Sequence, residues 1–527
     1  MKLPEVRQNL LDRFIGYVNP TLAAERYRAR MMLAIAGGYT GGRKDRRQTS
    51  SWQAGNGDAD AVIIPDLATL RARSRDLERN APIAAGAIAT KVTSVVGTGL
   101  KPRASIDREI LTGLSTEEAD AWERAAEREF KLATSGKDFD IEHGHNFLQS
   151  QDLVFRSVLS AGDIFVNLPR KARPGNPYTL RLNFIEADRV CNPSNAADTV
   201  TLTAGIEKDA DGAPAQIHVA KHHPGNLRPG GKREWLAPIP VYNRAGRRQI
   251  LHIYRKLRPG QTRGVPDLAP VIELLKQFAT YTENEIHAAT VASLFTVFVK
   301  TATGNPQLNM QPPGGTTTAP TAPDTRDIKL GSGNVLGLRH DEEVLFADPK
   351  RPNTHAEAFL QAMAEQIGVA LELPKEILLK HFTASYSAAR AALLEAWRFF
   401  MRSRCWLADE YCQPIWDEVI TEAIARGRLA APGFFADPLI RMAYLGCDWT
   451  GDAPGQIDET KAIKAASLRI KEGVSTLAEE TAALTGGDWE RKHTQRAKER
   501  RMRLADGLEM EEAAPATPVM PDPEDEE

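Results

Sequence analysis

Five histidines and one serine carry the reactive chemistry this sequence could offer, and none arrives with a full set of partners. His143 and His145 alternate in EHGHN. On an extended strand they would share a face and could share a metal, but no third ligand follows at a recognisable spacing. Loop or cap roles are the simpler expectation. His218, His222 and His223 cluster in IHVAKHH; a strand carrying His218 and a polar loop after it explain them without chemistry. Ser387 lies in ASYSAAR, where a hydrolase would need a base and an orienting group. Neither a G-x-S-x-G elbow nor an S-x-x-K signature accompanies it. Gly97 and Gly99 form a GTG that lacks the preceding strand and the remaining pattern of a dinucleotide loop. Cys405 and Cys412 stand seven apart in a helical stretch and are expected to be buried free thiols. No catalytic, metal-binding or cofactor-binding residue is therefore assigned, no cofactor is expected, and the chain is expected not to be an enzyme.

Composition narrows the remaining classes. The 527 residues, 42% of them hydrophobic, suffice for roughly two to four domains with a substantial core. Four scattered cysteines do not make a disulfide framework, so a reducing cytosolic origin is expected. The apolar stretches are broken by charge, which disfavours secretion and membrane spanning. The formal net charge of -2 hides a separation: residues 24–47 and 491–503 are basic, whereas the last 19 residues carry eight acids and no Lys or Arg. Such a balance does not support tight general DNA binding by the whole chain, but it is compatible with a polyanion passing through a weakly interacting channel. The basic run RKDRR at 43–47 and the basic terminal helix have the charge of a phosphate contact; a solvated or assembly role is the simpler reading of both.

The elements that would position these residues are helical arms around a β-rich insertion. Pro266 and Asp267 open a helix in which Leu268, Val271, Ile272, Leu275, Phe278 and Tyr281 recur at three- and four-residue spacing. Continued to Lys300 it would be about 50 Å long. Its last residues, Val297, Phe298 and Val299, fit either a helix end or a strand. A helix this long needs a large domain or neighbouring subunits to cover it. Another helix, near 147–159, ends at Gly162. Between the two, IFVNLPR, YTLRLNFIEADRV, TLTAGIEKD, AQIHVAKHH and QILHIYRKL are expected strands, with a tight turn at Asp211–Gly212. Upstream, 66–96 is helically patterned, with 81–89 a small-residue helix suited to close packing that ends at Gly97 and Gly99, and Ser115 with Glu118 forms a capping box. Downstream, the Thr/Pro/Gly-rich 301–326 is a loop, IKLGSG a strand followed by a Gly-rich turn, and EEVLFAD structured again. A helix follows from His355, then a dense helical region over 371–427 with Ser387 as an N-cap. Its aromatics, Trp397 among them, are expected to be core or interface anchors. Asp458 caps a further helix, Gly473 ends it, Ser475 or Thr476 opens the next, and the tail beyond Glu509 is expected to be disordered.

Taken in order, RARSRDLERNAPIAAGAIATKVTSVVGTGLKPR (71–103), LVFRSVLSAGDIFVN (153–167), LRLNFIEADRV (180–190), GIEKDADGAP, HIYRKLRPGQTRGVPDLAPVIELL (252–275) and SYSAARAALLEAWRFF (385–400) resemble the lambda-like family of tailed-bacteriophage portal proteins. The resemblance covers roughly residues 20–500, and the ordered set is far more specific than any single motif. It departs at Ser385, where many relatives have asparagine before the Tyr–Ser pair, and in the long 301–326 segment.

What the resemblance implies is an α+β chain, a mostly helical portal fold with a β-rich clip-like insertion, assembled as a closed ring generally of twelve subunits. It would sit in the virion at one capsid vertex after assembly in the host bacterial cytoplasm, and conduct double-stranded DNA during packaging and ejection. Implied partners are the terminase large subunit, major capsid and scaffold proteins and a head-tail connector or neck protein, with no membrane. Family order maps 1–146 to the N-terminal region and part of the wing, 147–162 and 266–300 to two stem helices, and 163–265 to the clip. Residues 301–370 become linker, wing strands and tunnel loop, 371–505 the crown, and 506–527 an acidic tail. Glu273, Glu283 and Glu285 are the expected acidic stem or channel residues, although one helical face cannot hold all three. Asp348, Lys350, Arg351 and Asn353 are the expected tunnel loop, and Arg390 and Trp397 the expected subunit contact. Two rivals stand beside this reading: a DNA-binding head-tail adaptor that forms no channel, and a hydrolase using Ser387 or a histidine cluster.

Overall fold

The computed structural model describes short pieces between residues 15 and 28, then 51–226, 233–293, 297–300, 335–338, 356–382, 385–455 and 458–508. Over 291–300 and 335–338, and at Tyr386, the description is of backbone alone. The chain divides into two compact units, Met1–Val62 and Ile63–Glu527. In the first, Asn19 Oδ1 accepts the Leu22 amide at 3.3 Å ahead of a helical turn begun by Pro20, as an N-cap before proline should.

The helically patterned stretch 66–96 is two helices, α1 (Ala59–Asn80) and α2 (Pro82–Val95), the second running past the 81–89 expected for the small-residue helix. Pro82 causes the break: the residue before a proline is pushed out of the helical region, and Ala81 is extended at φ -107, ψ 112. In α2, Ala84, Ala87, Ile88, Val92 and Val95 are buried, small side chains that allow neighbouring helices to come close. Gly97 and Gly99 then turn the chain with φ of +57 and +97, conformations costly for a residue with a Cβ. Strand β1 (Lys101–Ala104) follows, and helix α3 (Thr116–Thr134) has the expected Ser115–Glu118 capping box. Helix α4 (Phe147–Ala161) has a second box, Asn146–Gln149, and stops at Gly162.

The β-rich region comprises β2 (Asp163–Asn167), β3 (Asn183–Glu186), β4 (Leu202–Thr203), β5 (Ile206–Lys208), β6 (Pro214–Ile217), β7 (Ile239–Pro240) and β8 (Ile250–Tyr254). One antiparallel sheet has the order β3-β2-β8 and another β4-β5-β6-β7. Phe165, Ile185, Val190, Ile206, Ile217, Val219, Val241 and Ile250 close a small core of their own. The expected turn is present, with the Gly212 amide donating to Asp209 at 3.1 Å.

The helix expected after Pro266 and Asp267 opens with a 3-10 turn at Ala269–Val271 and continues as α5 (Ile272–Ser293), 22 residues or about 33 Å. The open question of its end resolves as extended chain: β9 (Val297–Lys300) pairs in parallel with β10 (Val335–Leu338). IKLGSG ahead of β10 and EEVLFAD behind it lie outside the described residues. Helix α6 (Ala356–Ala370) returns against α5, with Tyr281 and Phe359 ring centroids 5.1 Å apart.

After a short turn of helix, α7 (Lys375–Leu378), comes α8 (Tyr386–Leu407), a π turn at Ala408–Cys412, and α9 (Gln413–Ala425). The wide turn accommodates Pro414, which has no amide for an inward bond. The N-cap position of α8 is Ser385, not Ser387, and its hydroxyl makes no capping bond. Helix α10 (Pro438–Leu445) leads to β11 (Cys447–Thr450), which pairs antiparallel with β1 and ties the two ends of this unit together. Helices α11 (Glu459–Lys471), α12 (Leu477–Thr485) and α13 (Trp489–Ala505) complete the described chain. Asp458 caps α11, and Thr476 with Glu479 boxes the start of α12. The main core gathers α2, α3, α4, α8 and α9, with Trp416 fully buried 5.2 Å from the Phe130 ring.

Candidate functional site: a buried aspartate joint and the exposed faces around it

Asp163 opens β2 directly after the glycine that ends α4, so a carboxylate is carried into an apolar interior. Its side chain is wholly out of solvent. Arg71 from α1 donates to one oxygen at 2.6 Å, Arg263 donates to the other at 2.6 Å, and the His252 ring lies 3.2 Å away. Both guanidinium groups also bind main-chain carbonyls: Arg71 reaches Ala161, and Arg263 reaches Ala187, Val190 and Ala204. Burial alone would push the carboxyl pKa up; the two guanidinium groups and the imidazole overcome that and hold it well below the carboxylate range. Burial lowers His252 despite the attraction of Asp163, and lowers Arg71 to about 10. The imidazole lies between the Phe165 and Tyr254 rings at 4.2 and 4.3 Å.

These bonds gather the end of α4, strands β2 and β8, the turn after β3 and the lead-in to α5. Gly162 and Gly264 touch backbone to backbone: a Cβ on Gly264 would fall 2.0 Å from the Gly162 carbonyl oxygen. Asp267 donates its amide to Leu159 at 2.8 Å and accepts from the buried Lys91 ammonium at 2.6 Å. The two helical arms are thereby fixed to each other at the root of the β-rich region. A second set of struts holds the far side of that region to α9. Arg170 bridges Glu418 and Glu422, Arg247 donates to Glu418 at 2.9 Å, and Glu422 accepts the Thr179 amide at 2.6 Å.

The sequence-selected residues fall into three groups. Glu273 and Glu283 are exposed on α5 and Glu285 is half-buried, in keeping with their not sharing one face. Glu283 has His287 at 3.8 Å. Asp348, Lys350, Arg351 and Asn353 lie outside the described residues. Arg390 and Trp397 are brought together: both line a groove of about 770 Å³ between α8, α2 and α11. Phe382 and Leu394, 56% and 58% exposed, line it too. The Arg404 guanidinium stands 5.2 Å over the Trp397 ring.

The residues weighed for chemistry are spread apart. Ser387 has the Ser385 hydroxyl at 3.2 Å rather than a base. His143, with φ of +57, pairs with Arg173 at 2.9 Å, and His145 lies 3.4 Å from Asp140. His218 faces Glu207 at 3.3 Å. His223 approaches Glu186 and Asp188, the set among the described residues whose ligand atoms lie close enough for one cation. Arg75 already spans those two carboxylates, at 3.1 and 2.5 Å, so a guanidinium fills the position. Cys412 is buried as expected, but Cys405 is exposed, because it falls on the outer side of α8. Sequence reasoning missed the Asp163 joint. Its one signal was a charged residue at the head of the apolar strand DIFVN.

Ion-paired struts, long helices and uncovered apolar faces are the features of a structural component that works by assembly. A profile described as "Phage portal protein, lambda family" matches residues 45–404, and the chain belongs to that family, whose members are virion components. It is similar to portal protein B of Escherichia phage lambda, 25% identical over 497 residues that span 90% of this chain and 91% of the relative. It is likewise similar to the portal protein of Escherichia phage N15, 24% identical over 90% of this chain and 91% of that one. A solved chain from the neck of an empty GTA particle is similar at 12% identity, covering 64% of this chain and 81% of the other. Its TM-score of 0.35 is too low to carry architecture across.

Proposed function

We propose that this portal protein acts as a closed ring at one capsid vertex, conducting double-stranded DNA inward during packaging and outward during ejection. The observation that carries this reading is the second half of α5. Past Phe278 none of its described side chains is buried, and Ile286 is 61% exposed, although the helix is braced at its root by the Asp163 joint. A rigidly anchored helix with an uncovered apolar face is suited to packing against copies of itself. One face meeting a different face on the next chain closes a ring when the rotation permits.

In this reading α4 and α5 form the stem, 163–265 the clip, residues near 340–370 with the N-terminal region the wing, and 371–505 the crown. Glu273 and Glu283 would face phosphates without holding them, and 348–353 would form the tunnel loop. The terminase large subunit, capsid and scaffold proteins and a head-tail connector would dock on the ring, which itself performs no catalysis. Electron microscopy of the purified full chain tests the class: closed rings with a central passage are expected. A stable monomer that binds duplex DNA tightly under assembly conditions would replace this reading with that of an adaptor.

A further inference from the structure

Helix α13 stands apart electrostatically. None of its 17 residues is buried, and a helix polar all round is stable only with help from its own pairs or from a partner. It holds seven Lys or Arg against two Glu. Several exposed arginines elsewhere close on carboxylates: Arg108 on Asp120 and Glu123, Arg402 on Glu372, Arg469 on Glu480. Among the described residues no carboxylate lies within 4.0 Å of Arg496, Lys498, Arg500 or Arg501. At about 100° per residue, Arg496 and Arg500 share one flank and Lys498 and Arg501 the opposite one. Apart from the cations, the side chains able to read base edges are engaged: Gln495 donates to Glu499 at 2.8 Å, Thr494 donates to the Glu490 carbonyl at 2.9 Å, and His493 stacks on Trp489.

We propose that α13 is a sequence-independent contact for the phosphate backbone of duplex DNA, binding weakly enough to let the duplex move. The charge complementarity is that of cations presented without internal partners to a dense line of phosphates. The proposal rests on the conduit reading for its ligand but on α13 alone for its location. The acidic run 509–527 is a tethered rival for the same cations, so the test uses both the full chain and a chain ending at residue 508.

The experiment is fluorescence anisotropy of a 30-base-pair duplex of arbitrary sequence, titrated with wild type and with R496Q/K498Q/R500Q/R501Q across a salt series. All four side chains are exposed, and circular dichroism checks that the variant keeps its helix content. Engagement of two phosphates by either flank should lower affinity about tenfold and reduce the salt slope by about two, at roughly 0.9 per contact. That result in either chain supports the proposal; unchanged affinity and slope in both overturn it. Micrographs of the same samples separate the two ideas. Rings with unchanged DNA binding would sink the role of α13 alone, whereas loss of salt-dependent binding without rings would sink the conduit alone.

Discussion

Asp163 and Arg263 are one hundred residues apart in sequence, yet their side chains meet at 2.6 Å with neither more than 2% exposed. Arg71 completes the arrangement from a third element. Two charges of one sign and one of the other, all dry, hold together because the remaining guanidinium protons reach main-chain carbonyls. Geometry of this kind fixes orientation more than it adds net stability, since most of the attraction offsets desolvation.

Removing the carboxylate charge should therefore cost far more than the pair contributes. Asp163→Asn leaves two buried guanidinium groups facing a neutral amide, an expected loss of about 3–5 kcal/mol. Urea unfolding followed by circular dichroism should show the midpoint falling, with the β-rich region lost first. A variant within about 0.5 kcal/mol of wild type, the range of an inconsequential surface change, would mean that the joint holds nothing together.

The same joint gives stability a pH dependence with a determinate sign. His252 has a folded pKa below its unfolded value, so the unfolded chain binds the proton more readily. The contribution is complete above the unfolded value of about 6.5 and is lost as pH falls from there through the folded value. Asp163, also depressed, acts in the same direction but only below the unfolded carboxylate value of about 3.9. Asp417, pushed up to about 6 by its partial burial, acts in the opposite sense over this range, so the reading is a difference: between pH 8 and pH 5 the melting temperature of wild type should fall relative to that of His252→Gln, whatever the variant's effect at pH 8. An unaltered slope in the variant would place the titrating group elsewhere.

How much of this was legible beforehand depended on sequence distance. Caps written within four residues, such as Ser115 with Glu118 and Asp458 ahead of α11, could be taken directly from side-chain chemistry; at α12 the choice between Ser475 and Thr476 stayed open, and the structure selects Thr476. Equally legible were most strands between Asp163 and Tyr254, whose apolar runs are bounded by turn residues; TLTAGIEKD, expected as one strand, instead folds back as β4 and β5 about Ala204–Gly205, and the short β7 was not foreseen. The start of a second helix at Ala81 was legible from the switch to small residues, although that helix runs on to Val95. The α8 start was misplaced by two residues because Ser385 and Ser387 are chemically equal caps on paper. The Asp163 joint was not legible, since its partners lie 92, 100 and 89 residues away and only the fold brings them together. Parallel pairing of β9 with β10 was hidden for the same reason.

Close backbone contact makes a third prediction at the root of the arms. Gly264→Ala would place a methyl 2.0 Å from the Gly162 oxygen and 2.9 Å from the Tyr254 Cβ, and neither neighbour is a flexible side-chain end. The arms would have to separate, with a cost in the range of about 1–3 kcal/mol for overpacking. Because both arms move together, ring assembly should suffer along with thermal stability. Gly86→Ala is the control: nothing lies within 4 Å of the added Cβ, and a helical alanine is favoured over glycine by roughly 1 kcal/mol. If the two variants melted alike, the inter-arm contact would not be a constraint.

The groove beside α8 yields the most direct test of assembly. Arg390 and Leu394 are one helical turn apart and both exposed, so changing them leaves the single chain's core intact. Trp397 is a poorer target, since it packs partly on that core and beneath Arg404. If a neighbouring subunit fills the groove, Arg390→Glu with Leu394→Asp removes a cation and an apolar anchor and puts two carboxylates into a contact that already holds Asp452 and Asp458. A central contact of that kind is worth about 2 kcal/mol or more per interface, and about 1.4 kcal/mol is a factor of ten in association. A closed ring repeats the defect at every joint, so the loss compounds around the circle. Mass photometry of the variant at a concentration where wild type is fully assembled should show chiefly monomers and short arcs, with an unchanged melting temperature for the monomer. Full rings at wild-type abundance would place the subunit contact elsewhere and leave the groove to another partner.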